Sequence, residues 1–114
     1  MILGAGSTTS TWSPVLLRGL ARSRPVVTFD IRGTGLSTED HPANYTMQEY
    51  AESTVDLIDA LGLDAPDLFA WSLGGAIALT TAVSYPGVFA HMVLAGSTIG
   101  GDGRRRRPDD AVRL

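Results

Sequence analysis

The chain has 114 residues and a mass of 12.0 kDa, with 44% hydrophobic and 18% charged residues. That length suits one small domain and excludes two independent ones, and the apolar content excludes a wholly disordered chain. Cysteine is absent, which excludes a disulfide framework, a thiolate nucleophile and any cysteine-ligated zinc or iron–sulfur site.

The formal net charge of -3 is unevenly spread. Residues 1–101 hold four Arg against nine Asp and Glu, whereas residues 102–114 hold five Arg against three Asp. The basic excess is therefore a property of the tail. Arg104 to Arg107, without an adjacent aromatic or amphipathic pattern, reads as a solvated and disordered end, so neither nucleic acid nor membrane is expected as a partner. No stretch approaches the ~20 apolar residues of a membrane span, and no leader pattern is visible, so a cytoplasmic protein is expected. His41 and His91 have no paired spacing, and neither a metal nor a cofactor is expected.

Residues 1–3 read as a strand stub, and residues 13–21 as a short helix with Ser13 as cap and Pro14 at its first position. Residues 25–30 (PVVTFD) form an apolar run ended by Asp and Gly-rich sequence, which predicts a buried strand. A helix starts at Thr46, where Thr46 and Glu49 have capping-box spacing and Tyr45 and Tyr50 the spacing of a hydrophobic staple. Ala51, Val55, Ile58 and Leu61 continue it at a helical period up to Gly62. Residues 67–71 (DLFAW) and 91–96 (HMVLAG) predict two more strands, separated by a helix over residues 73–84 that is apolar nearly all round and stops before Pro86. The apolar runs lack alternation, as expected of parallel strands covered on both faces. Strands alternating with helices predict an α/β fold, an open parallel sheet with helices on both faces and any ligand at the carboxyl ends of the strands.

Three loops lie at those ends. The sharpest is Ala70-Trp71-Ser72-Leu73-Gly74-Gly75, where small residues at 70 and 74 let a strand turn abruptly into a helix. A serine there has a projecting hydroxyl beside a helix N-terminus, whose partial positive charge favours a developing oxyanion. The bland alternative is a helix cap. In Asp30-Ile31-Arg32-Gly33-Thr34-Gly35-Leu36-Ser37, Asp30 and Arg32 can pair and brace the loop, and Gly33 and Gly35 permit positive backbone angles; these residues shape the loop beside the site. In Leu3-Gly4-Ala5-Gly6, the Ala5 amide could join that of Leu73 in an oxyanion hole. The rival for this loop is a dinucleotide site, with Gly4 and Gly6 as the first two glycines and Asp30 as the ribose-binding acid. Against it, Thr9 occupies the third glycine position and Pro14 falls inside the helix that should begin at the loop.

Taken together and in this order, the three loops resemble those of the α/β-hydrolase superfamily: an oxyanion loop with Trp12, an Asp-x-Arg-Gly-x-Gly-x-Ser loop and a nucleophile elbow. Tyr85-Pro86-Gly87-Val88 leading into the last strand resembles the segment after the elbow helix, so the resemblance covers residues 1–101. It implies a partial hydrolase domain in which Ser72 attacks an acyl carbon of an ester, lactone or related small-molecule substrate, with the amides of Ala5 and Leu73 holding the oxyanion. Two departures stand out: Leu3 replaces the usual histidine before the first loop's glycine, and Ala70 replaces the first elbow glycine. The family's acid and histidine follow later strands. His91 begins its strand, about 15 Å from the elbow at ~3.3 Å per residue, and Asp102 lacks a histidine to orient. His41 is on the correct side of the sheet within a solvated linker. The expectation is thus a fragment with little activity alone that self-associates through an exposed strand edge, the alternative being a nonenzymatic α/β binding domain.

Overall fold

The computed structural model describes residues 1–37 and 45–98. In chain order a short 3-10 helix (Thr9–Thr11) precedes α1 (Pro14–Leu20), α2 (Met47–Ala60), β1 (Leu68–Trp71), α3 (Leu73–Ser84) and β2 (Met92–Ala95). The strands are parallel, with Leu68 opposite Met92 and Trp71 opposite Ala95. On the other side of β1, Ile2 makes a single parallel bridge to Ala70: its N–H donates to the Phe69 carbonyl at 3.0 Å and its carbonyl accepts from the Trp71 N–H at 2.9 Å.

One predicted strand is not formed. Residues 25–30 have no ladder, because the neighbour they meet is the three-residue stub, whose Met1 amino group donates one bond of 2.8 Å to the Val27 carbonyl. Sheet structure needs successive paired residues, and a single bond does not supply them.

Alternation along β1 divides the core. Leu68 and Ala70 are buried together with Ile2, Ile31, Ile77 and Ala78, and through this cluster α3 packs on the sheet. Phe69 points the other way and meets the buried Trp12 edge-on, with ring centroids 5.6 Å apart. The α3 helix covers one face of β1, while on the other Trp12 packs on Phe69 and Trp71 is 44% exposed, so the expected helices on both faces are seen on one face among the described residues.

The start of α2 follows its sequence signals. The Glu49 N–H donates to the Thr46 hydroxyl at 3.2 Å, the Thr46 N–H donates to the Glu49 carboxylate at 2.7 Å, and the Tyr45 and Tyr50 rings meet edge to face. Ala51 and Ile58 of the predicted stripe are buried and Thr54 joins them, whereas Val55 is half-buried and Leu61 is 49% exposed. Thr54 tolerates burial because its hydroxyl donates to the Tyr50 carbonyl of its own helix at 2.8 Å. In α1, Pro14 takes the first helical position, but Ser13 makes no side-chain cap bond, and the helix starts on proline geometry alone. The α3 helix has the expected bounds yet is not central all round: Gly74, Gly75, Ile77, Ala78 and Thr81 are buried, while Val83 is 80% exposed. Among the described residues no helix is long and apolar enough to cross a membrane, and no cluster of three metal-ligating side chains occurs.

Candidate active site

Ser72 joins β1 directly to α3 with φ 55° and ψ -120°. A non-glycine residue in this left-handed half of backbone space costs about 1–3 kcal/mol, and it persists only where its surroundings fix it. Three bonds do so. The Ser72 N–H donates to the Ala95 carbonyl at 2.9 Å, and the Ser72 carbonyl accepts from the Gly75 N–H at 3.0 Å and from the Ser97 hydroxyl at 3.1 Å. Ser72 stands at the N-cap position, yet its side chain makes no cap bond. The geometry therefore does not serve helix capping: the hydroxyl is left exposed beside the first turn of α3.

Small residues bring the first loop to this point. A Cβ on Gly74 would lie 2.5 Å from the Ile2 carbonyl oxygen and 2.7 Å from that of Leu3, so the first turn of α3 rests on the backbone of the stub. The next residue, Gly4, then lies against Ser72; a Cβ there would stand 3.0 Å from the Ser72 Cβ and 3.4 Å from its Oγ. Ala5 follows, exposed, on a turn closed by the Ser7 N–H donating to the Gly4 carbonyl at 3.3 Å. The Ala5 loop and the Leu73 peptide flank one serine.

The second loop is braced by Asp30. Its two carboxylate oxygens accept from the Thr9 N–H at 2.6 Å and the Leu36 N–H at 3.1 Å, tying the first loop to the second. These bonds, that from Thr9 foremost, hold the Asp30 carboxyl below the usual carboxylate range. Gly33 and Gly35 have φ of 75° and 54°, and a side chain on Gly35 would overlap the Asp30 carboxylate. The Arg32 guanidinium lies over the Tyr45 ring, 5.0 Å from its centroid.

This geometry removes the dinucleotide alternative for the first loop. Both carboxylate oxygens of Asp30 accept backbone N–H groups of the loops, and the first loop leads into a 3-10 turn and an extended Trp12, not into a helix N-terminus that could face a pyrophosphate. Of the two histidines, His41 lies outside the described residues, as do Asp102 and Arg104 to Arg107. His91 stands at the amino end of β2, where its Nδ1 is 2.8 Å from Asp67 Oδ1; Asp67 also binds Arg24 at 2.9 Å. The whole of β1 separates this cluster from Ser72, about 15 Å at ~3.3 Å per residue. An apolar cavity of about 430 Å³ also opens toward the amino ends of the strands, between α2 residues such as Leu57 and Leu61 and the segment containing Val27. It is not at the elbow. The contact that sequence reading missed is Ser97, signalled only by its place just after the last strand.

A parallel sheet whose strand passes through a strained serine into a helix, with a glycine-bearing loop laid against that serine, is the backbone arrangement expected of an α/β-hydrolase fold. The chain belongs to the alpha/beta hydrolase fold family, whose profile matches residues 2–111. It is 34% identical over 110 residues to a Caulobacter vibrioides protein named "Putative carbamate hydrolase RutD", covering 96% of this chain and 38% of that protein. It is 34% identical over 99 residues to the 2-hydroxymuconate semialdehyde hydrolase of a Pseudomonas species, covering 85% of this chain and 35% of the relative. A Pseudomonas putida 2-hydroxy-6-oxo-2,4-heptadienoate hydrolase is 29% identical over 99 residues. The chain spans little more than a third of the length of these relatives.

Proposed function

We propose that the chain carries the nucleophile and oxyanion donors of a serine hydrolase acting on a carbonyl carbon, in an ester, lactone or related acyl bond such as a carbamate. The observation that carries this reading is Ser72 held at φ 55° between β1 and α3 with its hydroxyl free of any capping bond. The Ser72 Oγ attacks the carbonyl carbon as its proton passes to a base. The oxyanion accepts from the Ala5 and Leu73 N–H groups, the leaving group departs with a proton, and water releases the acyl group from Ser72. Family membership and the hydrolase names of the relatives support the reaction class.

Among the described residues no imidazole reaches Ser72, since His91 is at the far end of the sheet and bound to Asp67. Attack without a base is slower by ~100-fold to 10,000-fold, so with the imidazoles of the described residues alone an activated ester is expected to turn over little above background. The test is acyl transfer from p-nitrophenyl acetate with imidazole in solution as the base, read by intact mass and peptide mapping. The acetyl group is expected on Ser72 and is lost in Ser72→Ala; acetylation spread equally over surface serines would refute the reading. A nonenzymatic role remains the second reading, supported by β2, whose Val93 is 57% exposed at an edge that β1 does not cover.

A further inference from the structure

We propose that Ser97 is a positioning residue that aims the Leu73 N–H at the oxyanion, an inference that rests on Ser72 being the nucleophile. The Ser72 carbonyl and the Leu73 N–H belong to one peptide unit. That unit is planar and trans, so its carbonyl and N–H point in opposite directions, and whatever fixes one aims the other. The Ser97 Oγ lies 3.1 Å from the Ser72 carbonyl oxygen and 3.1 Å from that of Ala95, and the Ala95 carbonyl in turn accepts the Ser72 N–H at 2.9 Å. The exit of β2 thus grips the elbow on both sides of Ser72, through the peptide before it and the peptide after it.

Gly75 is shaped for this contact. A side chain there would overlap both the Oγ and the Cβ of Ser97. Gly74 already accounts for the close approach of α3 to the stub, so the second glycine of the pair is explained by Ser97 standing where its side chain would be. A donor on the Ser72 carbonyl also polarises the peptide and makes the Leu73 N–H a stronger donor at its other end. Charge on the substrate oxygen develops only as Ser72 attacks. Ser97 therefore affects the rate of attack and not the binding that precedes it.

The test is phosphonylation of the 114-residue chain by an alkyl fluorophosphonate with imidazole as added base. The Ser72 Oγ–P bond forms, the P–F bond breaks, fluoride leaves and the serine proton goes to imidazole. Mass spectrometry gives the labelling rate at Ser72 and its saturation with reagent. Ser97→Ala keeps the Cβ that packs on Gly75, and it should lower the maximal rate about 3- to 10-fold, the worth of one neutral hydrogen bond, with half-saturation unchanged. Gly75→Ala displaces Ser97 without removing its hydroxyl and should slow labelling too, and the double variant should be no slower than the slower single one. An unchanged maximal rate in Ser97→Ala, a change confined to half-saturation, or independent additive effects of the two substitutions would overturn the proposal. Label found on serines other than Ser72 in the unaltered chain would instead overturn the nucleophile itself, and this inference with it.

Discussion

Gly74→Ala should destabilise the fold although alanine is the better helix former. In an open helical position the change gains roughly 0.5–1 kcal/mol. At residue 74, however, the new Cβ would lie 2.5 Å from the Ile2 oxygen, 2.7 Å from the Leu3 oxygen and 2.8 Å from the Ile2 carbonyl carbon. Ordinary contacts begin near 3.5 Å, so the stub or the helix must move by about 1 Å. Every atom met is backbone and no rotamer change relieves the overlap, which puts the cost at the upper end of the ~1–3 kcal/mol typical of overpacking. The net loss is about 2–2.5 kcal/mol, or roughly 8–20 °C in melting temperature for a domain of this size. Gly19, in α1, is the internal control: nothing lies within 4 Å of a Cβ built there, and Gly19→Ala should leave the melt unchanged or raise it by a few degrees. Circular dichroism melts of the two variants side by side decide the matter. A Gly74→Ala chain melting at or above the unaltered one would mean that α3 does not rest on the stub, and that Gly4 is not delivered to Ser72 in this way.

Asp30→Asn should flatten part of the acid dependence of stability. Because the folded-state Asp30 carboxyl is held below its ordinary value, its contribution is complete above about pH 4 and disappears as the pH falls through the folded value; melts at pH 7 and pH 3 should differ less in the variant. Thr46→Ala removes the capping box of α2 and should cost about 1 kcal/mol in urea denaturation, whereas Thr46→Ser should cost little. Among the described residues the edge of β2 away from β1 is uncovered, with Met92 and Val93 exposed, and it should make the chain associate; in size-exclusion chromatography Val93→Lys is expected to shift it toward monomer, and a concentration-independent monomer in the unaltered chain would remove this expectation.

What was legible in the sequence by itself was whatever depends on neighbours along the chain. The capping box at Thr46, the bounds of α3, the proline start of α1 and the abrupt turn at Ala70 to Gly75 all follow from residues within a few positions of one another. Three loops in their order, each placed after a predicted strand, also sufficed for the family.

Tertiary structure decided the rest, because those features depend on residues distant in sequence. Residues 25–30 have the composition of a strand, but strand formation requires a paired neighbour, and the stub offers one bond. The period placed Ala51 and Ile58 on the buried face of α2, but the packing also buries Thr54, whose hydroxyl can bond its own helix, and leaves Leu61 49% exposed. Asp30 looks in sequence like a partner for Arg32 or for a ribose; in three dimensions its carboxylate ties Thr9 to Leu36. Ser97 had no local signal at all. Its contact with the Ser72 peptide spans 25 residues and exists only because β1 and β2 lie side by side and Gly75 leaves the space open.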